Sequence, residues 1–241
     1  MKLKNTIKTF LVAGLVACVP AIMVGCGEKG LVDTSGNYQA VTDMTQVEQL
    51  AENVTNLATT TKGFEFNIHA EGERDGQYNS LIYKGTYDVS TGDLLFDAVI
   101  ESPEQNLETT VYYHAAGDNW YVNNNGIYSN ADIMESLFSK VRTVINPEYA
   151  ELTIASPNGE AEFAIASNNS GTKLRISLTQ TTQEVNTDIN YYALFDSEGH
   201  FYAYYGEVTG NAIEGNDFEY TLIEFTAIEE GVTTPDGVNI S

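Results

Sequence analysis

The run Phe64-Glu65-Phe66-Asn67-Ile68-His69-Ala70-Glu71 decides the fold. Large apolar and polar side chains alternate one for one, which is the period of a strand with one covered and one wet face. Working outward, the same period recurs. Leu81, Tyr83, Gly85, Tyr87 and Val89 share one phase, as do Leu94, Phe96, Ala98 and Ile100, and then Leu107, Thr109, Val111 and Tyr113. Turn chemistry separates these runs at Asp75-Gly76, Ser90-Thr91-Gly92-Asp93 and Gly117-Asp118. Short turns between alternating runs predict antiparallel hairpins. Trp120-Tyr121-Val122 reads as a short strand ending in Asn123-Asn124-Asn125-Gly126. Further strands are predicted at roughly 150–155, 161–167, 173–179, 188–196, 200–208 and 218–228, with turns at Asn168-Asn169-Ser170-Gly171 and Ser197-Glu198-Gly199.

Two stretches have a helical period instead. Val41, Met44, Val47, Leu50, Val54, Leu57 and Ala58 form one apolar stripe. This predicts a helix over about 42–61, with Thr45/Glu48 or Asp43/Gln46 as capping box. A second helix is expected after Ser129 or Asn130 as cap, with Ile133, Leu137, Phe138, Val141 and Ile145 as stripe and Asn146-Pro147 as stop. The fold class is therefore α+β: a long antiparallel sheet with one helix before it and another inserted midway.

Upstream of this body, Lys2, Lys4 and Lys8 precede an apolar run from Phe10 to Val24 that closes on Met23-Val24-Gly25-Cys26. A charged start, an apolar middle and small residues at a cut are the parts of a secretory leader. The apolar run is about 15 residues, short of the roughly 20 needed to span a bilayer, and Pro20 interrupts it. The stretch resembles a bacterial lipoprotein signal. That resemblance implies cleavage before Cys26, whose thiolate takes a diacylglyceryl group and fatty acids such as palmitate. Leu15-Val16-Ala17-Cys18 is a rival match, but it would leave a second apolar run on the mature chain. The expected organisation is 1–25 signal peptide, 26–41 flexible tether and 42–241 a single domain. The expected location is the outer, extracytoplasmic face of the cell membrane.

Composition narrows the function classes. Thirty-four acidic residues against 11 basic ones give a net charge of −23, and the leader takes its three lysines with it. Such a surface repels phosphate backbones, which excludes nucleic acid as a partner. With Cys26 acylated and Cys18 in the leader, no thiol remains in the body for a disulfide or a metal. His69, His114 and His200 lie in strand patterns without ligand spacing. Carboxylate pairs such as Glu160/Glu162 and Glu229/Glu230 read as solvated surface. Neither Asn123–Gly126 nor Asp75-Gly76 meets a calcium-loop pattern. Gly-x-Ser-x-Gly and Gly-x-Gly-x-x-Gly motifs are absent. No enzyme, cofactor or metal is expected.

Aromatic residues are the remaining signal. Tyr191, Ala193 and Phe195 alternate with Tyr192 and Leu194, and Phe201, Ala203 and Tyr205 alternate with Tyr202 and Tyr204. Strands apolar on both phases are covered on both faces. Either core lies below and a helix above, or part of one face lines a cavity for an apolar ligand. The order of elements, with Gly117-Asp118-Asn119-Trp120-Tyr121-Val122 and then Gly126 ahead of the inserted helix, resembles the lipoprotein-carrier superfamily of LolA, LolB and the mycobacterial LppX/LprG type. The resemblance spans most of 42–230. It implies a curved half-barrel with both helices packed on its concave face, and a cavity that holds a lipid or other apolar ligand. Phe64, Phe66, Tyr83, Tyr87, Phe96, Tyr191 and Phe195 are the candidate lining residues. The alternative is a structural or regulatory envelope lipoprotein that contacts a protein or polysaccharide through its acidic surface.

The leader reading predicts that Cys26→Ser loses incorporated palmitate and leaves the membrane fraction, whereas Cys18→Ser keeps both. Metabolic labelling with fractionation checks this, and loss of label in the Cys18 variant alone would move the anchor.

Overall fold

The computed structural model describes residues 31–74, 77–103, 106–131, 138, 141–142, 145, 161–182, 185–212 and 215–239. The leader, Cys26, the Asp75-Gly76 turn and the strand expected at 150–155 lie outside these residues. Among the described residues the elements are β1 (Gln39–Ala40), α1 (Thr45–Thr60), β2 (Gly63–Arg74), β3 (Gln77–Asp88), β4 (Leu94–Glu101), β5 (Asn106–His114), β6 (Asn119–Asn124), β7 (Ile127–Asn130), β8 (Glu162–Asn168), β9 (Gly171–Thr182), β10 (Val185–Phe195), β11 (Phe201–Ala212) and β12 (Gly215–Ile228).

All twelve strands join one antiparallel sheet in the order β1-β8-β9-β10-β11-β12-β2-β3-β4-β5-β6-β7. It consists of two meanders, β2 to β7 and β8 to β12, stitched where β12 pairs with β2 from Phe218↔Glu73 to Ile228↔Gly63. The sheet is open, with β1 and β7 at its edges, an arrangement consistent with the expected curved half-barrel.

Alternation decides which side is covered. In β4, Leu94, Phe96, Ala98 and Ile100 are buried while Asp97 and Glu101 are exposed. The same inner face carries Phe64, Phe66, Ile68 and Ala70 of β2 and Leu81, Tyr83 and Tyr87 of β3. Helix α1 lays Val47 and Val54 on this layer, with Val41, Met44, Leu50 and Leu57 partly buried beside them. Phe138, Val141 and Ile145 are in helical conformation and buried in the same layer. The rest of the expected inserted helix, Ile133 and Leu137 included, lies outside the described residues.

Several expectations are corrected. Neither capping box forms: Met44 is the N-cap and gives no side-chain bond, while Asp43 Oδ1 accepts from the Thr45 backbone N–H at 3.0 Å. Ser129 and Asn130, expected at a helix start, close a strand that the sequence did not predict. They sit in β7, opposite Val122 and Tyr121. Asn125 (φ 53°) and Gly126 (φ 87°) both take the left-handed conformation that a two-residue hairpin turn requires, so the chain doubles back before any helix starts. His200 lies in the turn before β11 rather than in a strand, and there its Nδ1 is 3.2 Å from Asp196 Oδ2.

The outer face is covered by the chain's two ends. Tyr192, Leu194, Ala203, Tyr205 and Leu222 form a second cluster, against which Leu31, Val32 and Tyr38 pack. Lys173 Nζ donates to Asp33 O at 2.6 Å and to Ser35 O at 2.9 Å. The Arg175 guanidinium lies over the Tyr38 ring at 4.4 Å. Residues 31–41, within the stretch read as a tether, are thus a strap on β8 to β12. At the other end Thr234 Oγ1 is 3.3 Å from Tyr112 OH, and Tyr121 OH donates to Asn239 O at 3.4 Å.

Gly85 is the tight spot of the inner layer. It lies opposite Phe96, and a methyl there would overlap Leu95 O and Phe96 Cβ. Gly85→Ala is expected to lower stability by about 1–3 kcal/mol, the usual range for overpacking, read as a lower urea midpoint at unchanged slope.

Candidate functional site

The seven residues predicted to line a cavity all fall on the inner face and in one cluster, each no more than 5% exposed. Their rings touch in chains. Tyr87 meets Phe64 at 5.1 Å between centroids, Phe64 meets Phe225 at 5.5 Å, Phe225 meets Phe201 at 5.7 Å, and Phe201 meets Phe195 at 5.7 Å. This path crosses β3, β2, β12, β11 and β10 without a break. A second path runs through Tyr83, Phe96 and Phe138 at 5.3 and 5.8 Å, and on to Trp120 at 6.1 Å. Tilted and edge-on pairs of this kind each contribute about 0.5–1.5 kcal/mol beyond burial. Tyr191 lies apart, its ring over Gly206, where a Cβ would stand 3.3 Å from it.

Polar atoms are few in this layer, and burial governs them. Tyr204 packs 4.5 Å from Phe201, and its hydroxyl makes no hydrogen bond among the described residues. Burial alone pushes that phenol up. Tyr113 OH donates to Asp118 Oδ1 at 2.7 Å, and the Arg142 guanidinium contacts both groups. Burial first, then the hydrogen bond to Asp118, raises Tyr113 to about 12. Arg142 thereby ties the helical positions to the turn between β5 and β6.

The layer ends in a small pocket lined by Ala70, Gly72, Asn79, Leu81, Ile100 and Glu219, among others. Its free volume of about 10 Å³ fits one water-sized group. None of the seven predicted residues borders it. Phe225 and Asn79 were missed by the sequence reading, although each keeps the phase of its strand, Asn79 with Leu81 and Tyr83. No group of three or more His, Cys, Asp or Glu among the described residues is placed to hold a metal. His114 Nδ1 stands 3.5 Å from Asp93 Oδ2 and His69 Nε2 stands 3.9 Å from Glu71 Oε2, both on the outer face.

No protein-family model matches the sequence, and no curated protein matches it. The chain is similar in structure to LprF from Mycobacterium bovis. The TM-score is 0.46 at 9% identity, over 81% of this chain and 98% of that one. It is similar also to the Mycobacterium tuberculosis lipoprotein LppX, with a TM-score of 0.42 at 10% identity, over 79% of this chain and 99% of that one. LppX is a namesake of the type that the order of elements resembles.

The buried phenols set the alkaline limit of the fold. Tyr38 and Tyr113 are both held at about 12, chiefly by burial, and Tyr191, Tyr192, Tyr204 and Tyr205 are raised in the same direction. A group raised above its unfolded value, about 10 for tyrosine, stabilises fully below that value and stops doing so as pH passes the folded one. Stability is expected to fall between about pH 10 and 12. The tyrosinate absorbance should then rise in a cooperative step that coincides with unfolding by circular dichroism. Independent titration of all fifteen tyrosines near pH 10 would contradict their burial.

Proposed function

We propose that the protein is an extracytoplasmic lipoprotein, tied to the membrane through acylated Cys26, which binds a lipid or other apolar ligand between the inner sheet face and α1 without covalent chemistry. The observation that carries this reading is the unbroken aromatic layer from β3 to β10, covered by a lightly held helix. Among the residues of α1 whose burial is described, Val47 and Val54 are the fully buried apolar ones. Its N-cap makes no side-chain bond, and Asn53 Nδ2 to Gly199 O, at 3.0 Å, ties it to the turn before β11.

Magnitudes favour exchange of α1 for a chain. Two buried valines stabilise by about 3–6 kcal/mol together, and each buried methylene by about 0.8 kcal/mol. A ligand that buries about eight methylenes on the sheet therefore offsets the loss of the two valine contacts, and a longer acyl chain offsets those of the partly buried Leu50 and Leu57 as well. Elements with few buried apolar contacts open at low free-energy cost. In the closed form described here the aromatic rings fill the layer, so uptake proceeds by displacing α1 rather than by filling a standing cavity.

Native mass spectrometry of the full-length protein, extracted from its own host, tests this. The expected spectrum contains a species heavier than the acylated chain by the mass of a lipid, released on collisional activation. Repeated recovery of the acylated chain alone, also after incubation with host lipid extract, overturns the reading.

A further inference from the structure

Tyr204 is the polar anomaly of the inner layer. Its ring meets Phe201 at 4.5 Å and Phe225 edge-on at 6.2 Å. In register it stands between Ala193 on β10 and Ile223 on β12. Leu174 on β9 and Ile68 on β2 come next along the same row. None of these side chains can donate or accept a hydrogen bond. Tyr204 is 5% exposed, and its hydroxyl has no partner among the described residues. A phenylalanine makes the same ring contacts without burying a polar atom. In the closed form the hydroxyl therefore only costs stability, and orphaned buried groups of this kind are rare in native structures.

A group that is a liability in one state points to another state in which it is used. Helix α1 packs on β11, and Asn53 ties it to the turn before that strand. Displacement of α1 thus opens the layer at the strand that carries Tyr204. Burial keeps the phenol protonated, so it offers a neutral O–H, and its partner is an acceptor. The hydrocarbon around it selects among acceptors. A carboxylate there gives up its hydration with no cation among the neighbouring side chains, at a large cost. An ester carbonyl loses far less on leaving water, and a single donor satisfies it.

We infer that Tyr204 sets the specificity of the ligand layer: its hydroxyl donates to the carbonyl of an acyl ester, so the preferred ligand is an esterified chain rather than a free fatty acid or a bare hydrocarbon. This rests on the apolar-ligand reading above.

Isothermal titration calorimetry of the full mature chain with a matched pair of probes tests the assignment. The pair is 1-monododecanoylglycerol and 1-O-dodecylglycerol, an ether that lacks the carbonyl, with dodecanoate as third probe, each below its aggregation concentration. The ester is expected to bind about fivefold more tightly than the ether, the effect of one neutral hydrogen bond, and more tightly than dodecanoate. Tyr204→Phe should abolish the ester–ether difference and leave the urea midpoint unchanged or higher. Tyr205→Phe, on the opposite face of the same strand, should keep that difference. Equal affinity for ester and ether, or dodecanoate binding as tightly as the ester, overturns the ester assignment and leaves the apolar-ligand reading standing. An ester preference that survives in Tyr204→Phe overturns the role of Tyr204. A lowered urea midpoint in that variant also overturns it, because the hydroxyl is then bonded in the closed form. Binding of none of the three probes overturns the reading beneath.

Discussion

Covering one face of a very wide sheet is the constraint from which the rest of this structure follows. Twelve strands at about 4.8 Å spacing span about 50 Å, whereas a sixteen-residue helix is about 24 Å long. Helix α1 cannot roof such an area. The inner face answers with its own bulk: Phe64, Phe66, Phe96, Phe195, Phe201 and Phe225 turn their rings on one another, and Phe138 closes over Phe96 and Tyr83. Gly206 leaves space where the ring of Tyr191 comes down onto backbone, and Gly85 where Leu95 O and Phe96 Cβ crowd in.

The opposite face shows the complementary solution. The part of it around Tyr192, Leu194 and Tyr205 is apolar, and there the strap of residues 31–41 lies down; a second aromatic part, Tyr112 and Tyr121, meets the C-terminal end. The strap is held by backbone pairing to β8 and by Lys173 and Arg175, two of the eleven basic residues in the chain. In so acidic a protein these cations are not spread over the surface. They sit where a carbonyl pair and an aromatic ring need them.

The strands were legible wherever alternation was clean, as in Phe64–Glu71 and Leu94–Glu101, because one face is buried and one is wet. The double-apolar strands around Tyr191 and Tyr204 were legible as covered on both sides. What covered the outer side was not, since Leu31, Val32 and Tyr38 have no period of their own. The edge strand β7 was missed because Ser129 and Asn130, residues suited to a helix start, equally suit a strand after an Asn-Gly turn. Strand order was beyond reach, because nothing local marks β12 as the neighbour of β2. Asn79 kept the apolar phase of β3, but that its Oδ1 is unmatched among the described residues is visible only once β2 and β12 lie alongside.

The seam between β2 and β12 has a bearing on biosynthesis. The paired residues are roughly 150 positions apart, and contacts of such separation form late. Until residues 215–228 have left the ribosome, β2 and β11, each of twelve residues, present raw edges, and such edges recruit foreign strands. A stop codon at position 215, where β12 begins, therefore does more than shorten a tail: it removes the strand that turns two half-sheets into one, and leaves a nascent product fit for proteolysis or aggregation.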